Sequence, residues 1–572
     1  MATALSISPH HSSVPVMGIA PKSQGKAGRM GLYEIRFLIS FIVSVAVLTT
    51  TPHLVGYFQS APGTVLTGAL NHSLDNNNYL AYVHQAASGK WLFRNPMTPE
   101  PHAAVFFNLE WLAAGKISAV LHLSLSRAVE VERLLCLGII SFAVYWLAAS
   151  LFSSLLVRRL ALISVMAGGG IGWIAAIHVL HVPLDSSYFL DLTNGNLFPF
   201  YWALKLPHFL VSESFVVLGL ALFLNGECHR QVRNYAGAGL SFMAAGACRP
   251  YDMLYVMAAI SLFVAISFWK HSDSRSSIVL RLLPVAMCTP LLVYYFWIFK
   301  LHPVFHWWSF PGNPAPAPWL LGAGFGPSFF FFLYSLRKLL SRASDPRCLF
   351  MMSCLLTAIV LSYAHHWLHF AFQFATNILL PMVMLAFFAL EPKIVQWSNR
   401  VRWSSLAIIA LLAGNSLTSV ALTAQAAWLA RKGDFRIDAN LVNSFRWLDA
   451  HSRRDDVILA DFENSNLIPQ YTHNVVFCGY INAVNFDEKL KQIREFLSPA
   501  SSDNFRISLL HRYNIRFVLL TADERGQLPE ITNLTEVYRN RAAVVLAVTG
   551  NQQPTILNPG VKLNQNVGKS QL

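Results

Sequence analysis

The residue best placed to do chemistry is Asp75. It stands in Leu74-Asp75-Asn76-Asn77-Asn78-Tyr79-Leu80-Ala81-Tyr82-Val83-His84-Gln85-Ala86-Ala87-Ser88-Gly89-Lys90-Trp91-Leu92, which leads into Arg94-Asn95-Pro96-Met97-Thr98-Pro99-Glu100-Pro101-His102. A carboxylate ahead of an aromatic amphipathic helix can take a proton from an attacking hydroxyl, or hold a divalent metal against a departing anionic group. It can also cap the helix that the pattern predicts to begin at Asn76 or Asn77, since Asp is a favoured N-cap, and the two roles are compatible. Arg94, Lys205, Arg249 and the tandem His365-His366 are the candidates to pair with an anionic group, because an ionisable group at membrane depth is costly unless it faces a cavity. Arg249 leads them, as it follows an apolar, Gly-containing half-helix; its plain alternative is snorkelling to the interface. His208 and the tandem histidines are more often buried, hydrogen-bonded side chains than ligands. Glu213 lies within an apolar run and must pair with something polar, for which His208 is the nearby candidate. Asp185 and Asp191 can approach the same cavity as Asp75 or remain loop acids.

The elements that must position these groups follow from composition. The chain has 572 residues, of which 54% are hydrophobic and only 13% charged, against roughly 25% charged in soluble proteins. That excludes a soluble enzyme, a disordered scaffold and a secreted disulfide module, and leaves a polytopic α-helical membrane protein. The net charge of +14, from 43 Lys and Arg against 29 Asp and Glu, belongs to cytoplasmic loops rather than to nucleic-acid binding. Seven scattered cysteines, with no metal-ligand spacing, are small buried apolar residues.

Residues 1–35 are polar and predict a disordered cytoplasmic tail. About eleven spans follow: Phe37 to Tyr57, Leu134 to Val157, Leu160 to Leu180, Phe209 to Leu224, Ala236 to Cys248, Met253 to Trp269, Leu282 to Phe299, Trp319 to Leu336, Cys348 to Ala364, Phe370 to Leu390 and Leu406 to Trp428. Ala236 to Cys248 is short for a span, and with its successor it can form a re-entrant hairpin around Arg249-Pro250. Every second loop is basic, from Arg158-Arg159 to Lys393, Arg400 and Arg402, whereas His302 to Pro318 and His365 to His369 carry no Lys or Arg. This alternation puts the N-terminus in the cytoplasm and everything after Trp428 outside. The membrane part covers 36–430 with a first outer loop at 58–132, where Val105 to Leu123, interrupted by Glu110 and Lys116, suits a helix lying in the interface plane. From 434 to 549 apolar bursts (Val457 to Leu459, Val475 to Phe477, Phe517 to Leu520, Val544 to Leu546) alternate with the amphipathic stretches Asp487 to Phe496 and Phe505 to Tyr513, as in a small extracytoplasmic α/β domain. Residues 550–572 form a polar, disordered tail. Trp307-Trp308 in an outer loop predict an aromatic-belt anchor or, more sharply, a platform for stacking on a sugar.

The acid after the first membrane helix, the aromatic helix ending in Gly89 and the extended segment leading to a surface helix resemble the first-loop signature of the GT-C superfamily of polytopic glycosyltransferases. The order of later features continues the likeness: Arg133 opening the second helix, Gly168-Gly169-Gly170-Ile171-Gly172-Trp173 in the third, Pro207-His208-Phe209 beginning the fourth, and Arg249-Pro250-Tyr251-Asp252 at the short hairpin. Asn464 to Tyr471, followed by Val475 to Gly479, looks like the outer domain of uncharacterised bacterial members, similar to protein O-mannosyltransferases and aminoarabinose transferase-like proteins. The resemblance implies an inverting transferase in the bacterial plasma membrane that moves a sugar from a polyprenyl-phosphate donor to a lipid, glycan or protein acceptor on the outer face. It makes Asp75 catalytic, with a divalent metal as its candidate cofactor, and Arg94, Glu100, His102, Asp185, Lys205, His208, Arg249, His365 and His366 substrate-binding. Many members carry a second acid beside the first, where this chain has Asn76.

Two other functions compete. A transporter or lipid-glycan flippase would concentrate charge in broken helices at the midplane, often in repeated halves, whereas here the acids gather in the first outer loop and no repeat is visible. A catalytically inactive assembly protein is favoured by the missing second acid. A Gly-rich loop between strand and helix is absent, which argues against a nucleotide-sugar donor.

Overall fold

The computed structural model describes residues 31–549 apart from 60, 69, 71–72, 171, 174–189, 194, 272–274, 309–314, 369, 401, 433–434, 530 and 532. Asp185, the tail before residue 31, the tail after 549 and parts of the third apolar run and of the loop from His302 to Pro318 lie outside the described residues.

The first helix, α1 (Leu32–Phe58), starts earlier than Phe37 because its acid is satisfied. The Glu34 carboxylate accepts the Gly31 N–H at 3.0 Å and the Tyr145 hydroxyl at 2.8 Å, and it pairs with Arg158 at 3.1 Å. Among the described residues, six helices are long and apolar enough to cross a membrane: Leu32–Phe58, Leu125–Leu151, Pro207–His229, Pro250–Lys270, Arg275–Leu301 and Ala371–Ser398. The protein is an integral membrane protein. Several of the remaining apolar runs are interrupted for local reasons. The third ends as a helix at Met166, ahead of its glycines. The run from Trp319 breaks at Gly326, whose φ of 51° suits glycine, into Pro318–Phe325 and Pro327–Ser341. Val232–Cys248 is a 17-residue helix, about 25 Å long, and Pro250 holds Arg249 extended at φ −138°, ψ 104° before Pro250–His271 begins.

The first loop and the C-terminal unit fold together. β1 (Thr64–Leu66) pairs antiparallel with β2 (Arg436–Asp438). α2 (Ser73–Ala87) packs on α3 (Leu109–Leu121) and α4 (Leu125–Leu151). Asn-Asn-Asn is a poor helical sequence, and in α2 the amides are used across the interface. Asn77 donates to Asn466 at 2.9 Å, while Asn466 itself donates to the carbonyls of Leu74 and Gly479 at 3.1 and 2.9 Å. Gly89, at φ 95°, ends the helix: its N–H reaches the Ala86 carbonyl and that of Lys90 reaches Gln85. Around α2 and α3 the rings of Tyr82, Trp111 and Trp308 lie nearly parallel, with Tyr82 and Trp111 4.5 Å apart.

The C-terminal sheet has the order β4-β3-β5-β7-β6, with β3 (Val457–Leu459), β4 (Val475–Val476), β5 (Ile515–Thr521), β6 (Leu534–Arg539) and β7 (Ala543–Val548). β3 runs parallel to both its neighbours, whereas β7 is antiparallel to β5 and β6. The outer edge of β4 is covered by the first loop: the Val476 and Gly479 N–H groups donate to the carbonyls of Pro96 and Met97 at 3.0 and 3.1 Å. Covering the edge satisfies donors that would otherwise pair with another chain.

Candidate active site

α2 begins at Ser73, so Asp75 sits inside the first helical turn and is not the N-cap. A carboxylate is stabilised there by the helix dipole. Its Oδ1 accepts a hydrogen bond from the Tyr480 hydroxyl. Burial above all, then the neighbouring Tyr79 and Asp75, raise the Tyr480 pKa far above that of a free phenol, so Tyr480 stays protonated and donates. The other carboxylate oxygen of Asp75 has no partner among the described residues. It is available to an incoming hydroxyl.

Beside this helix lies a cavity of about 40 Å³, room for about three waters. Asn76, Tyr79, Glu110, Glu132, Lys205 and His208 are among its walls. The His208 ring lies 4.9 Å from that of Tyr79 and 4.4 Å from that of Phe209. Burial pushes the Glu110 carboxyl up to about 8, against the pull of Arg249. Lys205 is 7% exposed. Its ammonium lies 5.2 Å from the Tyr201 ring, with no ion-pair partner among the described residues. Burial pushes its pKa down to about 8.

A lysine whose folded pKa lies below its unfolded value destabilises the fold while it is charged, fully below the folded pKa, and the penalty fades as pH rises from about 8 to about 10.5. Lys205→Met should therefore raise the melting temperature at neutral pH, and the gain should shrink by pH ~9.5. A gain equal at both pH values would mean that the ammonium is solvated.

The other sequence candidates are distributed differently. Arg249, 5% exposed, pairs with Asp252 at 3.2 Å, lies 4.0 Å from Glu213, donates to Gln373 at 3.2 Å and stacks 3.8 Å over the Phe209 ring. It neither snorkels nor lines the cavity, and Glu213 faces Arg249 rather than His208. Glu100 is taken by the buried Lys489, whose ammonium lies 2.6 and 2.8 Å from its two oxygens. His102 is satisfied on both ring nitrogens: Nδ1–H donates to the Glu100 carbonyl at 2.7 Å, and Nε2 accepts the Asn95 N–H at 2.9 Å. Glu100 and His102 therefore tie the first loop to the C-terminal unit and are not free for substrate. Arg94 pairs with Asp455 at 2.8 Å beside a different cavity. The His365 and His366 rings lie 4.2 Å apart, tilted by 38°, and neither is among the walls of the cavity beside α2. Asp191 accepts the Gly170 and Gly172 N–H groups at 2.9 and 2.8 Å and the Thr418 hydroxyl at 3.0 Å. Gly172 suits that contact, since a Cβ there would meet the carboxylate at 2.6 Å. Asp185 lies outside the described residues. Trp308 belongs to the aromatic stack on Tyr82 and Trp111, so it is neither belt anchor nor open platform.

Among the described residues, no three His, Cys, Asp or Glu side chains are grouped to hold a metal. Asp75 is followed by three neutral amides and already accepts from Tyr480. This donor set does not fit a resident divalent ion. Sequence reasoning missed Tyr480 and gave no role to Glu110 or Glu132; the signal for the two acids was their place in apolar surroundings, whereas nothing local marks Tyr480.

No protein-family profile and no characterised protein matches the sequence. Solved structures do. The Archaeoglobus fulgidus oligosaccharyltransferase in its apo form aligns with a TM-score of 0.55 at 11% identity, over 92% of this chain and 76% of that one. Arabinofuranosyltransferase AftD from mycobacteria aligns at 0.53 and 14% identity, over 91% of this chain and 40% of that much longer one. ArnT from Cupriavidus metallidurans bound to undecaprenyl phosphate aligns at 0.48 and 13%, over 91% of this chain and 100% of that one. The likeness to the first two is one of fold: this chain has the GT-C fold.

Proposed function

We propose that this protein is a membrane glycosyltransferase that moves a sugar from a polyprenyl-phosphate donor to a lipid, glycan or protein acceptor. The observation that carries it is Asp75, fixed by Tyr480 with one oxygen free, at the start of the first-loop helix of a GT-C fold. The acceptor hydroxyl attacks C1 of the sugar, Asp75 takes its proton, and the C1–O bond to phosphate breaks with its electron pair passing to the phosphate oxygen. Attack opposite the leaving group inverts the anomeric centre. Lys205, a buried cation of the cavity with no counter-ion among the described residues, receives the leaving phosphate and replaces Arg249 in that role. In this reading eleven segments cross or enter a bacterial plasma membrane, the N-terminus is cytoplasmic, and the C-terminal sheet stands on the outer face over Asp75. The pairing of Arg158 with Glu34 at the opposite end of the bundle accords with that orientation.

The test is purified full-length protein in lipid nanodiscs with a radiolabelled polyprenyl-phosphate sugar and a mixture of lipid, glycan and peptide acceptors. Transfer of label with release of polyprenyl phosphate is the expected result. Movement of intact donor across a proteoliposome membrane without transfer would replace this reading with a flippase.

A further inference from the structure

A second cavity lies on the opposite face of α2, where the end of that helix meets the β3–β4 side of the C-terminal sheet. It encloses about 130 Å³, and its walls carry Lys90, Arg94, Arg454, His84, His473 and Asp455. Three fixed positive charges thus face one carboxylate, which Arg94 already engages at 2.8 Å. Like charges gathered on the walls of one groove repel one another, and an anion between them relieves that repulsion.

Several of these groups are held in place. The backbone N–H and carbonyl of Arg94 both bond the Gln85 amide at 3.0 Å, and its guanidinium Nε is buried with no partner. His473 donates from Nδ1 to Asp449 at 2.9 Å, which leaves Nε2 to accept from the Ser88 hydroxyl at 3.1 Å. The His84 ring lies 4.7 Å from that of His473. Lys90, Arg94 and His84 come from the first loop, whereas Arg454 and His473 come from the C-terminal unit. A ligand here would touch both.

We propose that this groove binds an oxyanion, a phosphate or carboxylate group, carried by the acceptor glycan. Arg and Lys pair strongly with such groups, and α2 links the two sites, Asp75 near its start and Ser88 just past its end, about 20 Å apart at 1.5 Å per residue. That the carrier is an acceptor rests on the glycosyltransferase reading; that the groove holds an oxyanion does not. The acceptor is then an anionic glycan several sugar units long, anchored at one end while another unit presents its hydroxyl to Asp75.

The experiment is titration calorimetry of the full chain in detergent with three probes: trigalacturonate, glucose 6-phosphate and neutral maltotriose. At least one anionic probe should bind and maltotriose should not, with the stronger of the two identifying carboxylate or phosphate. Lys90→Gln with Arg454→Gln, both at exposed positions, should weaken that binding on the order of tenfold or more at unchanged melting temperature, and Asp455→Asn, which removes the competing carboxylate, should tighten it. Absence of binding by both anionic probes, equal binding of maltotriose, or affinity untouched by the double variant overturns the site. Asp75→Asn should leave binding intact, so the two readings fail separately: binding kept without glycosyl transfer supports the groove, and transfer observed without anion binding overturns the groove alone.

Discussion

Asp75→Asn should lower turnover by about 10²- to 10⁴-fold, the range supplied by a positioned general base, with thermal stability almost unchanged. The Asn side chain keeps the shape and still offers an oxygen to the Tyr480 hydroxyl, so only proton abstraction is lost. Because Asp75 lies within the first turn of α2 and does not cap it, a purely structural role predicts a silent Asn variant. Tyr480→Phe separates positioning from chemistry. It removes one hydrogen bond to a charged acceptor, worth about 1.5 kcal/mol, and should cost roughly tenfold in kcat while leaving donor KM alone. Full activity of Asp75→Asn in the transfer assay would remove this residue from the mechanism.

Arg249→Ala should instead be a stability variant. The guanidinium is enclosed by Glu213, Asp252, Gln373 and the Phe209 ring, and the Ser212 hydroxyl donates to the same Asp252 at 2.5 Å. Removing one partner of a buried charge network leaves the other uncompensated, at a cost of about 3–5 kcal/mol, so folded yield and melting temperature should fall before donor dependence changes. Neutralising the partners as well, in Arg249→Met combined with Glu213→Gln and Asp252→Asn, should recover much of the loss. An Arg249→Ala protein that melts like the parent and differs only in donor KM would show that the side chain faces substrate and that the ion pairs carry little.

The membrane character, the apolar runs behind the six long helices among the described residues and the strands β3, β5 and β7 are legible in the sequence because they depend on local composition and period. Runs without charge become buried or lipid-facing helices, and bursts of Val, Ile, Leu and Phe become the strands at the centre of the C-terminal sheet. Helix ends are less so: Leu32 begins α1 despite Glu34 because Tyr145 and Arg158 satisfy that carboxylate, and within Asn-Asn-Asn the Asn77 amide finds its partner in Asn466, 389 positions away. Asp75 could be singled out from its place after the first helix, but Tyr480, which fixes it, is 405 positions away. A gap of 389 positions hides Lys489 from Glu100, and although Asp252 stands only three residues from Arg249, the fold alone brings up Glu213 and Gln373. Apolar burial is written residue by residue in the chain. A charge is committed to substrate or to structure by the partner that ends up beside it, and among groups far apart in sequence only the tertiary structure decides which partner that is.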